Sequence, residues 1–231
     1  LPVPGGMIAV GMPRFRLPRE IRESEINSIA KMGVEIKTNT TIGKDLTLDD
    51  LKSRGYEVFF VAIGAHKNTE LGIEGESLDG VVNAIEMLRK INLKQPVKLG
   101  DNVAIIGGGY TAIDCARSAI RLGCKSVTIL YRRTPNEMMA TAAEILETTE
   151  EGVKMEYLVA PLRIIGKDGR VTGIECQRME LGKLDESGRA SPVPLEGSEF
   201  IMEVDTVSPA IGQLPDLDML NSNLLGIGND G

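Results

Sequence analysis

Ile21, Ile26, Ile29 and Ala30 recur near helical spacing and are stopped by Gly33, so residues 19–32 are predicted to form a helix behind a proline-bounded irregular stretch at 13–18. Residues 34–40 alternate between apolar and polar side chains, the pattern of a half-buried strand. Thr47 precedes Leu48, Asp49, Asp50 and Leu51, an N-cap for a short helix that ends at Gly55. The apolar run 56–63 has strand length and stops at a tight turn, Gly64 and Ala65. Residues 81–91 read as a helix. The polar connector 95–101, which contains Pro96, reads as a hinge between two units.

The second unit is patterned more strongly. Residues 102–107 form a short buried strand, 111–122 an amphipathic helix closed by Gly123, and 126–131 a second buried strand. A helix is expected over 135–150. Beyond Gly152 the pattern shifts to strands at 154–159, 162–165, 170–178, 200–204 and 206–210, with Lys167, Asp168 and Gly169 turning the second of these into the third. Residues 183–198 read as a long polar loop. The order is βαβα, then a β-meander and a returning strand, which makes the chain α/β.

A length of 231 residues allows one large or two small domains. The net charge of -7 argues against nucleic acid as the main partner, because holding phosphates takes a basic face. No apolar run approaches the roughly 18 residues of a membrane span, and residues 1–16 do not have the order of a signal peptide. Cys115, Cys124 and Cys176 lack CxxC spacing, which speaks against a disulfide framework, a zinc site or an iron–sulfur cluster held by this chain alone. A cytoplasmic location is the expectation. His66 is the one histidine and reads as a surface side chain rather than a catalytic or metal-binding one. The chain opens on Leu1 and closes in a glycine-rich run at 226–231, so it is expected to be part of a longer protein.

Gly107, Gly108, Gly109, Tyr110, Thr111 and Ala112 fit G-x-G-x-x-(G/A), directly after a buried strand and opening a helix. Gly107 permits the tight turn, Gly109 lets backbone approach a pyrophosphate, and Ala112 is small enough for close helix–strand packing. The helix N-terminus adds N–H groups and a positive dipole end. The plain alternative is a glycine-rich turn that binds nothing; strand, spacing and helix together favour a dinucleotide. An NAD-selective site places Asp or Glu at the end of the second strand, where this chain has Tyr131, Arg132 and Arg133. Two guanidiniums suit a 2′-phosphate, so NADP(H) is the expected nucleotide, against the alternative of a solvated basic pair.

Further segments occur in a characteristic order: Gly11 to Pro18, Val61 to Ala65, the glycine turn with Asp114, Cys115 and Arg117, Tyr131 to Thr134 with Glu137 and Met138, and Ala210 to Asp216. Together they resemble the family of the small (beta) subunit of NADPH-dependent glutamate synthase. Related members are the flavin-bearing part of dihydropyrimidine dehydrogenase and NADH-dependent ferredoxin:NADP oxidoreductase subunits, all of the FAD/NAD(P)H pyridine nucleotide-disulfide type. Relatives often carry Asn or Asp where Tyr110 stands and Pro where Met139 stands.

The resemblance implies a Rossmann-like NAD(P)H-binding domain with a β-meander at 96–215, inserted in an FAD-side domain to which 1–95 belongs and to which 216–231 begins the return. It puts Gly64, Ala65, Ile211, Gly212 and Gln213 near the flavin or the domain junction, and Glu137 toward the nicotinamide end. It also implies FAD in the full-length protein, iron–sulfur clusters outside this chain, and a large subunit or other electron-acceptor subunit as partner. The family's FAD-pyrophosphate glycine motif, its cluster cysteines and its closing Gly-Asp motif are not matched here. The chain alone is therefore expected to hold no flavin and to be inactive. Hydride transfer needs orientation more than an acid–base pair, so no catalytic residue is assigned. Two other readings stay open: a non-redox nucleotide-binding or regulatory module, and an electron-transfer docking surface using the acidic exterior and the 183–198 loop. Glu144, Glu147, Glu150 and Glu151 are expected to form a solvated helix face.

Overall fold

The computed structural model describes residues 1–185 and 188–217. In chain order its helices are α1 (Gly6–Val10), α2 (Arg19–Lys31), α3 (Leu48–Ser53), α4 (Ala84–Asn92), α5 (Tyr110–Arg121) and α6 (Ala142–Glu150). Its strands are β1 (Lys67–Asn68), β2 (Asn102–Ile106), β3 (Ser126–Tyr131), β4 (Lys154–Tyr157), β5 (Val159–Lys167), β6 (Arg170–Leu184), β7 (Ala190–Met202), β8 (Thr206–Pro209) and β9 (Gln213–Leu214). The chain divides into one unit of residues 1–68 with 213 onward and a second of residues 69–212. These limits differ from the expected ones at 95 and 215, because α4 buries Ala84, Met87 and Leu88 in the core of the second unit. The expected return at 216–231 lies, from residue 218 on, outside the described residues.

In the first unit, α2 and α3 form where the pattern puts them. Thr47 Oγ1 accepts from Asp50 N at 3.0 Å and the Asp50 carboxylate accepts from Thr47 N at 2.9 Å, a reciprocal cap on α3. The two expected strands do not form. Residues 34–40 and 56–63 enter no ladder, and Val58 and Phe60 are 87% and 93% exposed. A strand needs a neighbouring strand for its N–H and C=O groups, and among the described residues no strand lies alongside these segments; Asn39 N, for one, donates instead to Leu1 O at 2.9 Å. Among the described residues the one ladder in this unit is the short antiparallel ribbon of β1 and β9, Asn68 opposite Gln213.

The second unit is built on a parallel sheet in the order β4-β3-β2-β8. The central strands β2 and β3 are short, largely apolar and buried runs because both of their faces are covered. On one face α4 and α5 pack around Met87, Leu88, Ile105, Ile113 and Ile129, with Ala112, Ala116 and Ala119 letting α5 come close. On the other, Ala104, Leu130 and Val207 meet Ile164, Ile174 and Cys176 of the antiparallel sheet β5-β6-β7. This is the α/β, Rossmann-like arrangement with a meander that the pattern predicts.

Three expectations need correction in this unit. Residues 183–198 are largely strand: β7 pairs with β6, Leu184 opposite Ala190 and Leu181 opposite Pro192. Pro192 and Pro194 conceal it in the sequence, yet among the described residues β7 is an edge strand with no second ladder to donate to. The helix over 135–150 is split into a 3-10 turn, Pro135–Glu137, and α6, each opened by its own Thr-x-x-Glu cap at Thr134 and Thr141. The acidic face of α6 is not simply solvated. Arg117 of α5 meets Glu147 at 3.1 Å and Glu151 at 2.6 Å, and Arg121 also binds Glu151, bracing α5 to α6. These hydrogen bonds, Arg121 first, pull the Glu151 carboxyl down to about 2. Among the described residues no helix is long and apolar enough to cross a membrane.

Candidate functional site

The carboxyl ends of β2 and β3 lie side by side, with Ile106 opposite Leu130 and Gly107 N donating to Leu130 O at 3.0 Å. The chain leaving β2 must therefore turn at once to reach α5. Gly107 does so at φ 147°, and a side chain there would strike the Ala210 carbonyl. A Cβ on Gly108 would run into the ring of Tyr131. Gly109 is different: its backbone is extended (φ -101°, ψ 178°), and an added Cβ would meet nothing within 4 Å. Packing therefore does not require a glycine at 109, beyond the mild preference of an N-cap for Gly over Ala. The cleared space over the first turn of a helix is what a pyrophosphate needs for close approach.

Gly109 is the N-cap of α5, with no side-chain cap, and no acidic residue stands in the first turn, Tyr110, Thr111 and Ala112. The helix therefore presents an uncapped positive end, suited to an anion. The segment after β3 is fastened across the glycine turn: Met139 N donates to Gly108 O at 3.1 Å and the Tyr131 hydroxyl to Glu137 O at 2.7 Å. The Glu137 carboxylate accepts from Thr134 Oγ1 at 2.6 Å and from Thr134 N at 3.0 Å, and these bonds hold it below the usual carboxylate range. Its carboxylate thus closes a local cap rather than reaching toward a nicotinamide.

The two arginines part company. Arg132 is exposed at the end of β3. Arg133, expected as the second member of a phosphate clamp, is buried: Nε donates to Ala190 O at 2.7 Å and Nη2 to Asp185 Oδ2 at 2.9 Å. Two sides of this guanidinium are thus committed inside the protein, which leaves Arg132 as the exposed one of the pair. Asp185, the partner of Arg133, lies in the polar stretch 183–198, where no local pattern marks it as a buried arginine's carboxylate.

Ala210 lies on the glycine turn, its N donating to Ile106 O at 2.8 Å, and the exposed Ile211 and Gly212 follow it in the same unit. Gly212 has φ 124° and accepts at its carbonyl from Thr69 N at 3.3 Å. Gly64, Ala65 and Gln213 belong to the other unit, Gly64 at φ 66° and Gln213 in the β1–β9 ribbon. All three cysteines are free; burial raises the Cys115 thiol well above its ordinary value and pushes Cys176 up to about 12. The chain thus brings no reactive dithiol of its own.

A glycine turn between parallel strand and helix, with room for a phosphate and a basic side chain at the next strand end, defines a dinucleotide-binding α/β unit. Residues 42–231 match the pyridine nucleotide-disulphide oxidoreductase family, and the chain belongs to it. It is 46% identical to the NADPH-Fe(3+) oxidoreductase subunit beta of Geobacter sulfurreducens over 95% of this chain and 33% of that protein. Against the NADP(+)-dependent formate dehydrogenase subunit beta of Moorella thermoacetica, identity is 44% over 97% of this chain and 32% of that protein. The glutamate synthase [NADPH] small chain of Escherichia coli is 36% identical over 91% of this chain and 47% of its own length. The resemblance to the glutamate synthase family therefore holds, and the chain spans about a third to a half of these curated relatives. Mycobacterium tuberculosis FprA in complex with NADPH shares the fold, with a TM-score of 0.75 and 20% identity over 92% of this chain and 62% of that one.

Proposed function

We propose that this chain is the NADPH-binding portion of a flavin-dependent oxidoreductase of the subunit-beta type. The observation that carries this is the cleared space at Gly109, over the uncapped α5 N-terminus, beside a strand end that offers Arg132 and no carboxylate. The backbone of Gly107, Gly108 and Gly109 and the first turn of α5, Tyr110, Thr111 and Ala112, would hold the pyrophosphate, and Arg132 the 2′-phosphate. Bound NADPH would supply a hydride to FAD held by the rest of the full-length protein. The chain's own contribution is to grip the nucleotide at its phosphates and orient it; Tyr131 and Met139 keep the turn in shape while it does so.

Gly64, Ala65, Ile211, Gly212 and Gln213 belong to this reading as the segments where the two units exchange chain, near the flavin. Residues 34–40 and 56–63 supply independent support for a covering FAD domain, since apolar side chains such as Phe60 are left facing solvent. Electrons would continue through iron–sulfur clusters outside this chain to a partner subunit, in a cytoplasmic enzyme. Relatives at 44% and 46% identity are named for formate dehydrogenase and NADPH-Fe(3+) oxidoreductase, which favours an acceptor of that kind. The second reading is the glutamate synthase small subunit, with glutamate formation downstream, favoured by the 36% relative. Anaerobic mixing of the full-length protein with NADPH tests the shared core of both. The flavin absorbance should bleach rapidly with NADPH and at least about tenfold more slowly with subsaturating NADH. A flavin that NADPH leaves oxidised would contradict the proposal.

A further inference from the structure

We infer that Asp185, at the end of β6, is a positioning residue for the nucleotide's 2′-phosphate, acting through Arg133 to fix the backbone that carries Arg132. The inference rests on the reading of Arg132 as the 2′-phosphate arginine.

Arg133 is tied down at both ends. Its guanidinium, 6% exposed, donates to Asp185 Oδ2 at 2.9 Å and to Ala190 O at 2.7 Å, joining it to both arms of the β6–β7 hairpin. Its carbonyl accepts from Leu158 N at 3.1 Å, at the junction of β4 and β5. Asp185 is itself set by the hairpin turn: its N donates to Arg189 O at 2.7 Å and its Oδ1 accepts from Arg189 N at 3.1 Å. On the other side, Tyr131 is held by its hydroxyl on Glu137 O and by its ring over Gly108. Arg132 is thus an exposed residue between two buried anchors. The start of its side chain is fixed before any ligand arrives, and less freedom is lost when a phosphate binds.

A buried guanidinium deprived of its carboxylate is strongly unfavourable, so losing Asp185 would drive Arg133 out of its slot and loosen residue 132 with it. The penalty should fall on ligands that carry a 2′-phosphate. NAD(H), gripped by the glycine turn alone, should not register it.

Calorimetric titration of NADP+, NAD+ and adenosine 2′,5′-bisphosphate into the full-length protein tests this. Asp185→Asn should weaken both 2′-phosphate ligands about five- to tenfold, the cost of ordering one long side chain, and leave NAD+ within about twofold. Asp185→Glu should recover part of the loss. Arg133→Lys, which cannot serve Ala190 and Asp185 in the same way, should match Asp185→Asn and covers the case in which that variant folds poorly. Unchanged NADP+ affinity in folded Asp185→Asn would overturn the inference, leaving a packing bridge. Tighter NADP+ binding would overturn it by exposing Arg133 as a masked phosphate ligand, and equal weakening of NAD+ by exposing general disruption. If instead Arg132→Ala keeps the wild-type preference for NADP+, the reading of Arg132 has failed and the inference falls with it, a result visible without any Asp185 variant.

Discussion

A Cβ on Gly108 would strike the Tyr131 ring, whereas one on Gly109 meets nothing within 4 Å. Adjacent glycines are therefore under different packing constraints: the fold requires a glycine at 108 and leaves open space at 109. Gly108→Ala should cost about 1–3 kcal/mol of stability through overpacking. Gly109→Ala should lower Tm by no more than about 3 °C, the preference of an N-cap for Gly over Ala. The same change should weaken nucleotide binding at least about tenfold, because the methyl group takes the place of a phosphate oxygen. Thermal unfolding and calorimetry on the two variants check this. A Gly109→Ala protein that binds NADP+ like wild type would mean the cleared space is not a phosphate seat. Arg132 and Arg133 make the same point about neighbours: one is exposed, the other is buried and paired with the half-buried Asp185.

The brace between α5 and α6 belongs to the scale of elements, and its strength depends on pH. Glu151 is held at about 2 by Arg121 and Arg117, against an unfolded value of about 4.3. A carboxyl depressed in this way favours the folded state while ionised. Its contribution is complete above about pH 5 and is lost as pH falls from roughly 4.5 toward 2. Melting curves of wild type and Glu151→Gln should differ by a constant amount above about pH 5 and converge as pH falls toward 3. A difference that persists unchanged at pH 3 would contradict the assignment. The elements β2, α5 and β3 were legible because parallel strands covered on both faces read as apolar runs, and because the glycines ahead of α5 and the alanines within it announce close packing. β7 was not, since Pro192, Pro194 and polar edge positions imitate a loop. The break before α6 was written in two Thr-x-x-Glu caps, Thr134 with Glu137 and Thr141 with Glu144, that a continuous helical pattern overrode. Residues 34–40 and 56–63 carry strand pattern without a strand, because pattern reports what a segment suits and pairing depends on what lies beside it.

At the scale of the molecule, a well-packed second unit contrasts with a first unit whose patterned segments lie open. If a further FAD-side domain covers them, backbone amides at 56–63 should exchange with deuterium quickly in the 231-residue chain and slowly in the full-length protein. Fast exchange in both would leave Phe60 and Val58 without the proposed cover. The central claim is that Gly107 to Ala112 and Arg132 form an NADP(H) site, and titration of NADP+ and NAD+ into wild type and Arg132→Ala addresses it most directly. A charge-assisted bond to the 2′-phosphate is worth about 1.5–3 kcal/mol, so wild type should bind NADP+ at least about tenfold more tightly than NAD+, with the gap narrowing as salt rises. Arg132→Ala should erase most of that gap and leave NAD+ binding nearly unchanged. Equal wild-type affinities, or a variant that still prefers NADP+, would contradict the account.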